Sequence, residues 1–259
     1  MLTQTHQIDQ NELVFLAALA GENMVVGLDD PFAGWLAEQV LDEWQRVHPE
    51  MLEKGMITSQ GNGQYAVEES LQEAIKLCCK PDNWIALYDM NDKSKNSHRI
   101  LHFQSASSRF VMMSRDEDNI IRLEIDEREG SIGQQICEIL QVNPAIAKMK
   151  RQVAIREDVL KALMHQQKLD AAISKLLSEP DQGQQAFIKT ATAPQIKTLI
   201  TSSVQSLDQA PIKSWFLIAD LNNAWLIDAT DAVSTETVQV IDTDSQDLAE
   251  RIERVLGMS

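Results

Sequence analysis

Positive charge is scarce in this chain: 23 lysines and arginines face 39 aspartates and glutamates over 259 residues, for a formal net charge of −16. A field of that sign repels phosphate backbones and anionic bilayers, so nucleic acid and membrane surfaces are poor partners. Cysteine is also scarce. Cys78, Cys79 and Cys137 are an odd count, and two adjacent cysteines rarely bridge each other. No disulfide framework follows, and free thiols suit a reducing, cytoplasmic setting. Export and membrane signals are missing as well. Met1 to Gln10 is polar, and the apolar stretch Leu13 to Ala20 falls well short of the roughly 20 residues a membrane-spanning helix needs. Aromatics make up only 5% of the chain, yet five of them are tryptophans. What remains, 44% hydrophobic and 24% charged, is the profile of an ordinary globular protein.

Local pattern divides the chain into helical and strand-rich blocks. Glu12 to Ala20 reads as a short buried helix ended by Gly21. Asp30-Pro31 reads as an N-cap and first helical residue, followed by an apolar stripe of Phe32, Trp35, Leu36, Val40, Trp44 and Val47. Pro49 is expected to kink that helix or to begin another, which Gly55 closes. Met56 to Val67, centred on Gly61-Asn62-Gly63, predicts a β-hairpin, and Glu68 to Cys79 a further helix. Residues 12–80 therefore have the outline of a winged helix. Residues 11–80 carry twelve acidic and four basic side chains, so a DNA-recognition role fails on electrostatics. Strands are expected over residues 84–125: Trp84 to Tyr88, Arg99 to Gln104, Phe110 to Met113 and Ile120 to Ile125, with polar turns at Asn91 to Asn96 and Asp116 to Asn119. A helix follows over 131–142. Residues 145–178 read as a long helical region with Val159, Leu163, Leu169, Ile173, Leu176 and Leu177 on its buried face. Pro180 to Gly183 reads as a turn and 194–207 as another helix. Strands return at Trp215 to Ala219, Ala224 to Ile227 and Thr237 to Ile241, before a closing helix over 245–256.

The chain repeats itself. Trp84-Ile-Ala-Leu-Tyr-Asp89-Met-Asn91 aligns with Trp215-Phe-Leu-Ile-Ala-Asp220-Leu-Asn222, and Ile125 to Leu140 aligns without a gap on Ile241 to Leu256. In the second stretch Ile125, Asp126, Ile136 and Leu140 are identical to Ile241, Asp242, Ile252 and Leu256. Ser131-x-x-Gln134 and Asp247-x-x-Glu250 both have capping-box form. The expected fold is α+β: two pseudo-symmetric copies of helices, antiparallel strands and a closing helix, with a winged-helix-like N-terminal segment. The copies would occupy residues 1–142 and 143–259. The offset differs between tryptophans and closing helices, which places a fifteen-residue loss in the second copy's hairpins.

No motif of chemistry survives inspection. His98 and His102 lie in a strand-like stretch, where four residues span roughly 13 Å, too far to share one metal. Asp242-Thr-Asp244-Ser-Gln-Asp247 lacks the glycine and terminal glutamate of a calcium loop and reads as helix capping. There is no phosphate loop, dinucleotide fingerprint or nucleophile elbow. Cys78 reads as packing, and Asp89 and Asp220 as turn-forming residues. The sequence thus assigns no catalytic, cofactor-binding or metal-binding residue, and no cofactor.

The Trp84 and Trp215 strands, with the paired closing helices ending at Leu140 and Leu256, give a duplicated plan that resembles the EspG family of type VII (ESX) secretion. The segment Asp30 to Cys79 departs from it. The resemblance implies a cytosolic, non-enzymatic chaperone that holds an aggregation-prone secreted protein. The leading expectation is therefore a protein-binding adaptor or secretion chaperone with an exposed apolar surface, no nucleic-acid partner and no membrane insertion. Two other classes stay open. A transcription-related regulator would need a basic surface that the sequence does not show. An enzyme of unrecognised type would need an enclosed polar pocket with strongly perturbed acids.

Overall fold

The computed structural model describes residues 4–90, 98–104, 109–116, 120–126, 130–146, 151–164, 181–204, 213–229 and 237–257. They form two compact units, Met1–Ile85 with Lys95–Glu129 and Ala86–Ser94 with Gly130–Ser259. The chain is α+β, and the strand pairings described below are all antiparallel. No helix among the described residues is long and apolar enough to cross a membrane.

The first unit opens on β1 (Gln4–Asp9), which turns directly into α1 (Gln10–Leu19). Asp9 caps that helix through the Asn11 N–H, and Glu12 returns the bond to the Asp9 N–H, a complete capping box. Next come α2 (Ala37–Glu53), the hairpin β2 (Ile57–Gly61) and β3 (Gln64–Val67), and α3 (Glu69–Cys79). Asn62 and the glycines on either side of it all have positive φ, as a tight hairpin connection requires. After β4 (Asn83–Asp89), which the two units divide between Ile85 and Ala86, come β5 (His98–Phe103), β6 (Phe110–Arg115) and β7 (Ile120–Asp126). The order β1-β7-β6-β5 is antiparallel at each step. Ile8, Leu13, Leu16, Met51, Leu71, Ile75, Leu101 and Leu123, from the three helices and from β1, β5 and β7, are fully buried.

The second unit holds α4 (Ile132–Ile139), β8 (Gln152–Arg156), α5 (Glu157–Met164), α6 (Gln182–Thr192), β9 (Ile196–Val204), β10 (Lys213–Ala219), β11 (Ala224–Asp228), β12 (Thr237–Thr243) and α7 (Ser245–Val255). Its strands run β9-β10-β11-β12-β8. Phe187 of α6 meets Trp225 of β11 edge-on at 5.7 Å inside a core that also includes Val153, Ile155, Val159 and Ile218.

The two element orders match strand for strand. In each copy a strand turns at once into a helix, a later helix leads into four strands, and the last of these four pairs with the first strand. Gln182 stands 113 residues after Glu69, and Ile196 stands 113 after Asn83. α3 and α6 each have 11 residues and end on the same rare backbone, φ −135° and ψ 59° at Lys80, φ −141° and ψ 60° at Ala193. At the closing helices Ile132, Ile136 and Leu140 are buried, as are Leu248, Ile252 and Leu256 at the matching positions. α4 and α7 then pack on each other: a Cβ on Gly133 would stand 2.7 Å from the Ala249 Cα. Ala249 is the residue that the ungapped alignment places opposite Gly133.

Several expectations are corrected. β4 of the first copy corresponds to β9, so Trp84 matches β9 and Trp215, on β10, matches β5; the tryptophan alignment is out by one strand. With the offset near 113–117 from α3 onward, no fifteen-residue loss from the hairpins remains. The size difference lies elsewhere: residues 20–68 separate α1 from α3, whereas 165–181 separate α5 from α6. Residues 194–207 were expected as helix, but 196–204 form β9, in keeping with the β-branched Ile196, Thr198, Ile200, Thr201 and Val204. The helix lies earlier, at α6, where Asp181 caps what was expected as a turn. Residues 152–156, expected as helix, form β8, and the polar N-terminus forms β1. α2 starts at Ala37, because Asp30 holds the Phe32 N–H in a local turn and does not cap a helix. It continues past Pro49 to Glu53. The N-cap of α7 is Asp244, which accepts from the Asp247 N–H at 2.7 Å; Asp247 sits in the first turn. The expected buried face Leu169, Ile173, Leu176 and Leu177 and the turn Asn91 to Asn96 lie outside the described residues.

Candidate protein-docking surface

The chain has thirteen Phe, Trp and Tyr residues, so where they stand is informative. Five of them meet in the first unit without any being fully buried. Trp35 packs on Phe32 at 5.3 Å, Phe32 on Phe15 at 5.0 Å, and Phe15 on Trp44 at 5.3 Å. Trp44 stacks on His48 at 5.2 Å and meets Tyr65 edge-on at 5.5 Å. These rings come from α1, the turn before α2, α2 itself and the hairpin. Asn11 of α1 donates to the Glu43 carboxylate of α2 at 2.7 Å, Gln10 donates to the Asp29 carbonyl, and Lys54 reaches Glu12 at 2.8 Å. The scaffold under the rings is thus tied at three points. Aromatic pairs of this geometry contribute about 0.5–1.5 kcal/mol each, so the ladder is held in one arrangement before anything binds.

Apolar side chains extend the ladder into solvent. Trp35 is 43% exposed, Leu36 68% and Leu41 54%. Leu36 is also the N-cap of α2, a position that favours Ser, Thr, Asp or Asn; it supplies no side-chain cap. A large apolar side chain that neither packs nor caps is locally unfavourable twice over. Such a conflict marks functional positions.

Carboxylates border this surface. Glu38 and Asp42 follow each other by one helical turn beside Leu41, with no cation on either among the described residues. Glu43 is engaged by Arg46 through bonds of 2.6 and 2.9 Å, which hold its carboxyl down to about 2. The resulting surface offers rings, leucines and acids. It can take up apolar groups.

The residues weighed from sequence are placed as follows. His98 and His102 both lie on β5, opposite Arg115 and Val111. His102 is buried and donates through Nε2 to the Val26 carbonyl at 2.9 Å; burial pushes it down to about 4. Among the described residues no group of three His, Cys, Asp or Glu is placed to hold a metal ion. Burial raises the Cys78 thiol far above its usual range and the Cys79 and Cys137 thiols to about 12, which leaves all three as poor nucleophiles. Asp220 closes the turn after β10, accepting from the Asn222 and Asn223 N–H groups and from the Thr190 hydroxyl. Burial opposes its ionisation, but those donors outweigh it and lower its pKa. Asp89 ends β4, which does not correspond to β10, so the two are not a repeated pair. The acids that do repeat are Asp126 and Asp242, both buried; Arg151 stands 3.6 Å from Asp242 and lies over the Trp225 ring. Sequence reasoning missed the ladder because Phe32, Trp35 and Leu36 were expected to continue one helical stripe with Val40, Trp44 and Val47. The signal available was their position before Ala37, in and just after the Pro31-Phe32-Ala33-Gly34 turn.

No protein-family model and no curated protein sequence matches the chain. Among solved structures, the chain is similar to the Mycobacterium tuberculosis type VII secretion system chaperone EspG5, solved in complex with a PE25-PPE41 dimer. That likeness covers 98% of this chain and 96% of EspG5, at a TM-score of 0.59 and 14% identity. The segment Asp30 to Cys79 therefore falls within the matched span. A dehydratase from the difficidin assembly line reaches a TM-score of only 0.12, which is no likeness of fold. The chain shares the fold of EspG5, and at that level of identity the fold alone.

Proposed function

We propose that the chain is a non-enzymatic, cytoplasmic protein-binding adaptor that docks its partner on the aromatic ladder of the first unit. The observation that carries this is the exposure of Trp35, Leu36 and Leu41 beside a pre-ordered row of rings in a chain with few aromatics. Exposed apolar clusters containing tryptophan are the usual energetic centres of protein interfaces. The fold shared with a type VII secretion chaperone supports the finer reading, in which the partner is an aggregation-prone protein held before secretion. The net charge of −16 supports it as well, since it would keep an otherwise insoluble complex apart from its neighbours.

Affinity capture from the native cell, with wild type beside a Leu36→Ser/Leu41→Ser variant, tests the reading. The expected outcome is a captured protein that the variant loses by about tenfold or more, while its melting temperature is unchanged or higher. Equal capture by both would remove the ladder as the docking surface.

A further inference from the structure

We propose that the occupant of the ladder is an amphipathic helix of a partner protein, with lysine or arginine flanking its apolar face. This rests on the adaptor reading and adds the chemistry of the partner to it. The first observation is spacing. Leu41, Trp44, His48 and Leu52 follow each other at three and four residues along one flank of α2, a stripe of about 16 Å. Leu41 and Leu52 are exposed, and the Trp44–His48 stack lies between them. A helix laid along α2 meets that stripe turn for turn, because both surfaces rise by the same pitch.

The second observation is charge. Residues 29–53 hold seven carboxylates and one cation, Arg46. Arg46 already gives its guanidinium to both oxygens of Glu43. That stretch therefore has no free cation for an acidic partner, while Glu38 and Asp42 border the stripe with no ion pair among the described residues. A second copy of the chain would bring the same carboxylates against these, which costs association free energy. A flank of lysines or arginines would instead meet them favourably and would speed encounter with a strongly acidic protein.

The test uses the full chain and three labelled peptides of about 18 residues, read by fluorescence anisotropy. One has a leucine face flanked by lysine and arginine, one the same face flanked by glutamate, and one the basic flanks without the leucines. The first is expected to bind at least about tenfold more tightly than the others, and to weaken between about 0.05 and 0.3 M NaCl. Leu41→Ser and Trp35→Ala should each weaken it several-fold, and Glu38→Gln/Asp42→Asn should reduce the salt dependence without abolishing binding. Equal binding of the basic and acidic leucine peptides, both lost in Leu41→Ser, overturns the charge inference and leaves the docking surface standing. Binding that ignores Leu41→Ser and Trp35→Ala overturns the docking surface itself, and failure of the basic leucine peptide to bind overturns the proposed occupant.

Discussion

Single residues carry the sharpest conflicts in this structure. Leu36 stands at a helix N-cap without a side chain that can cap. Leu36→Ser supplies the missing acceptor and is expected to raise stability by about 1 kcal/mol in urea denaturation. The same change should weaken partner capture, and a variant that gains neither stability nor a binding defect would show that Leu36 is mere surface. His102 is a conflict of another kind. It is held neutral by burial, with a pKa of about 4 against 6.5 for the free side chain. The unfolded chain therefore binds a proton that the folded chain refuses. The contribution to stability is complete above pH 6.5, declines as pH falls from 6.5 to about 4, and levels off below. It amounts to about 3 kcal/mol over that window. Comparing the pH dependence of wild type with His102→Leu isolates it from the many carboxylates. The variant should lose less stability than wild type across that interval, and parallel curves would refute the assignment.

At the scale of elements, α4 and α7 cross closely at Gly133 and Ala249. Gly133→Ala would ordinarily gain about 1 kcal/mol of helix propensity, but the new methyl would meet the Ala249 backbone. Backbone cannot step aside as a flexible side chain does, so the clash should win by about 1–3 kcal/mol. Chemical denaturation of Gly133→Ala checks the sign, and a stabilised variant would mean the helices stand further apart. Elements with a local chemical signature were legible: the hairpin from its Gly-Asn-Gly turn, α3 before Pro81, and the closing helices from the ungapped alignment. Elements defined by non-local pairing were not. β1 is polar along most of its length and is a strand because β7 lies beside it. β9 alternates weakly, with Lys197 buried on it, and its pairing with β10 settles what its pattern leaves open. The ladder was hidden for a related reason: a three-to-four spacing of apolar residues is the same whether the stripe faces a core or a partner.

For the molecule as a whole, charge and duplication matter most. A net charge of −16 repels itself across the folded surface. Raising NaCl from about 0.02 to about 0.2 M should screen that repulsion and lift the melting temperature by about 2 °C. A melting temperature that falls with salt would mean that favourable ion pairs, such as Lys54 with Glu12, outweigh the excess acid. The duplication was legible in outline, and its register at the closing helices was right. Its register at the tryptophans was not, because one Trp-led strand looks much like the next when the strand count between them is unknown.

Gly133 and Ala249 occupy one position of the shared pattern, and they touch. Were the two helices supplied by separate identical chains, that position would have to hold the same amino acid on both sides of the axis. Two glycines would leave a gap, and two alanines would collide. Joining both copies in one polypeptide lifts this restriction, so that one side can shrink while the other fills. The same freedom lets residues 20–68, with α2 and the hairpin, stand between α1 and α3, where only residues 165–181 stand between α5 and α6. An asymmetric device on a symmetric frame is therefore available to a tandem chain, and is closed to a dimer of its halves.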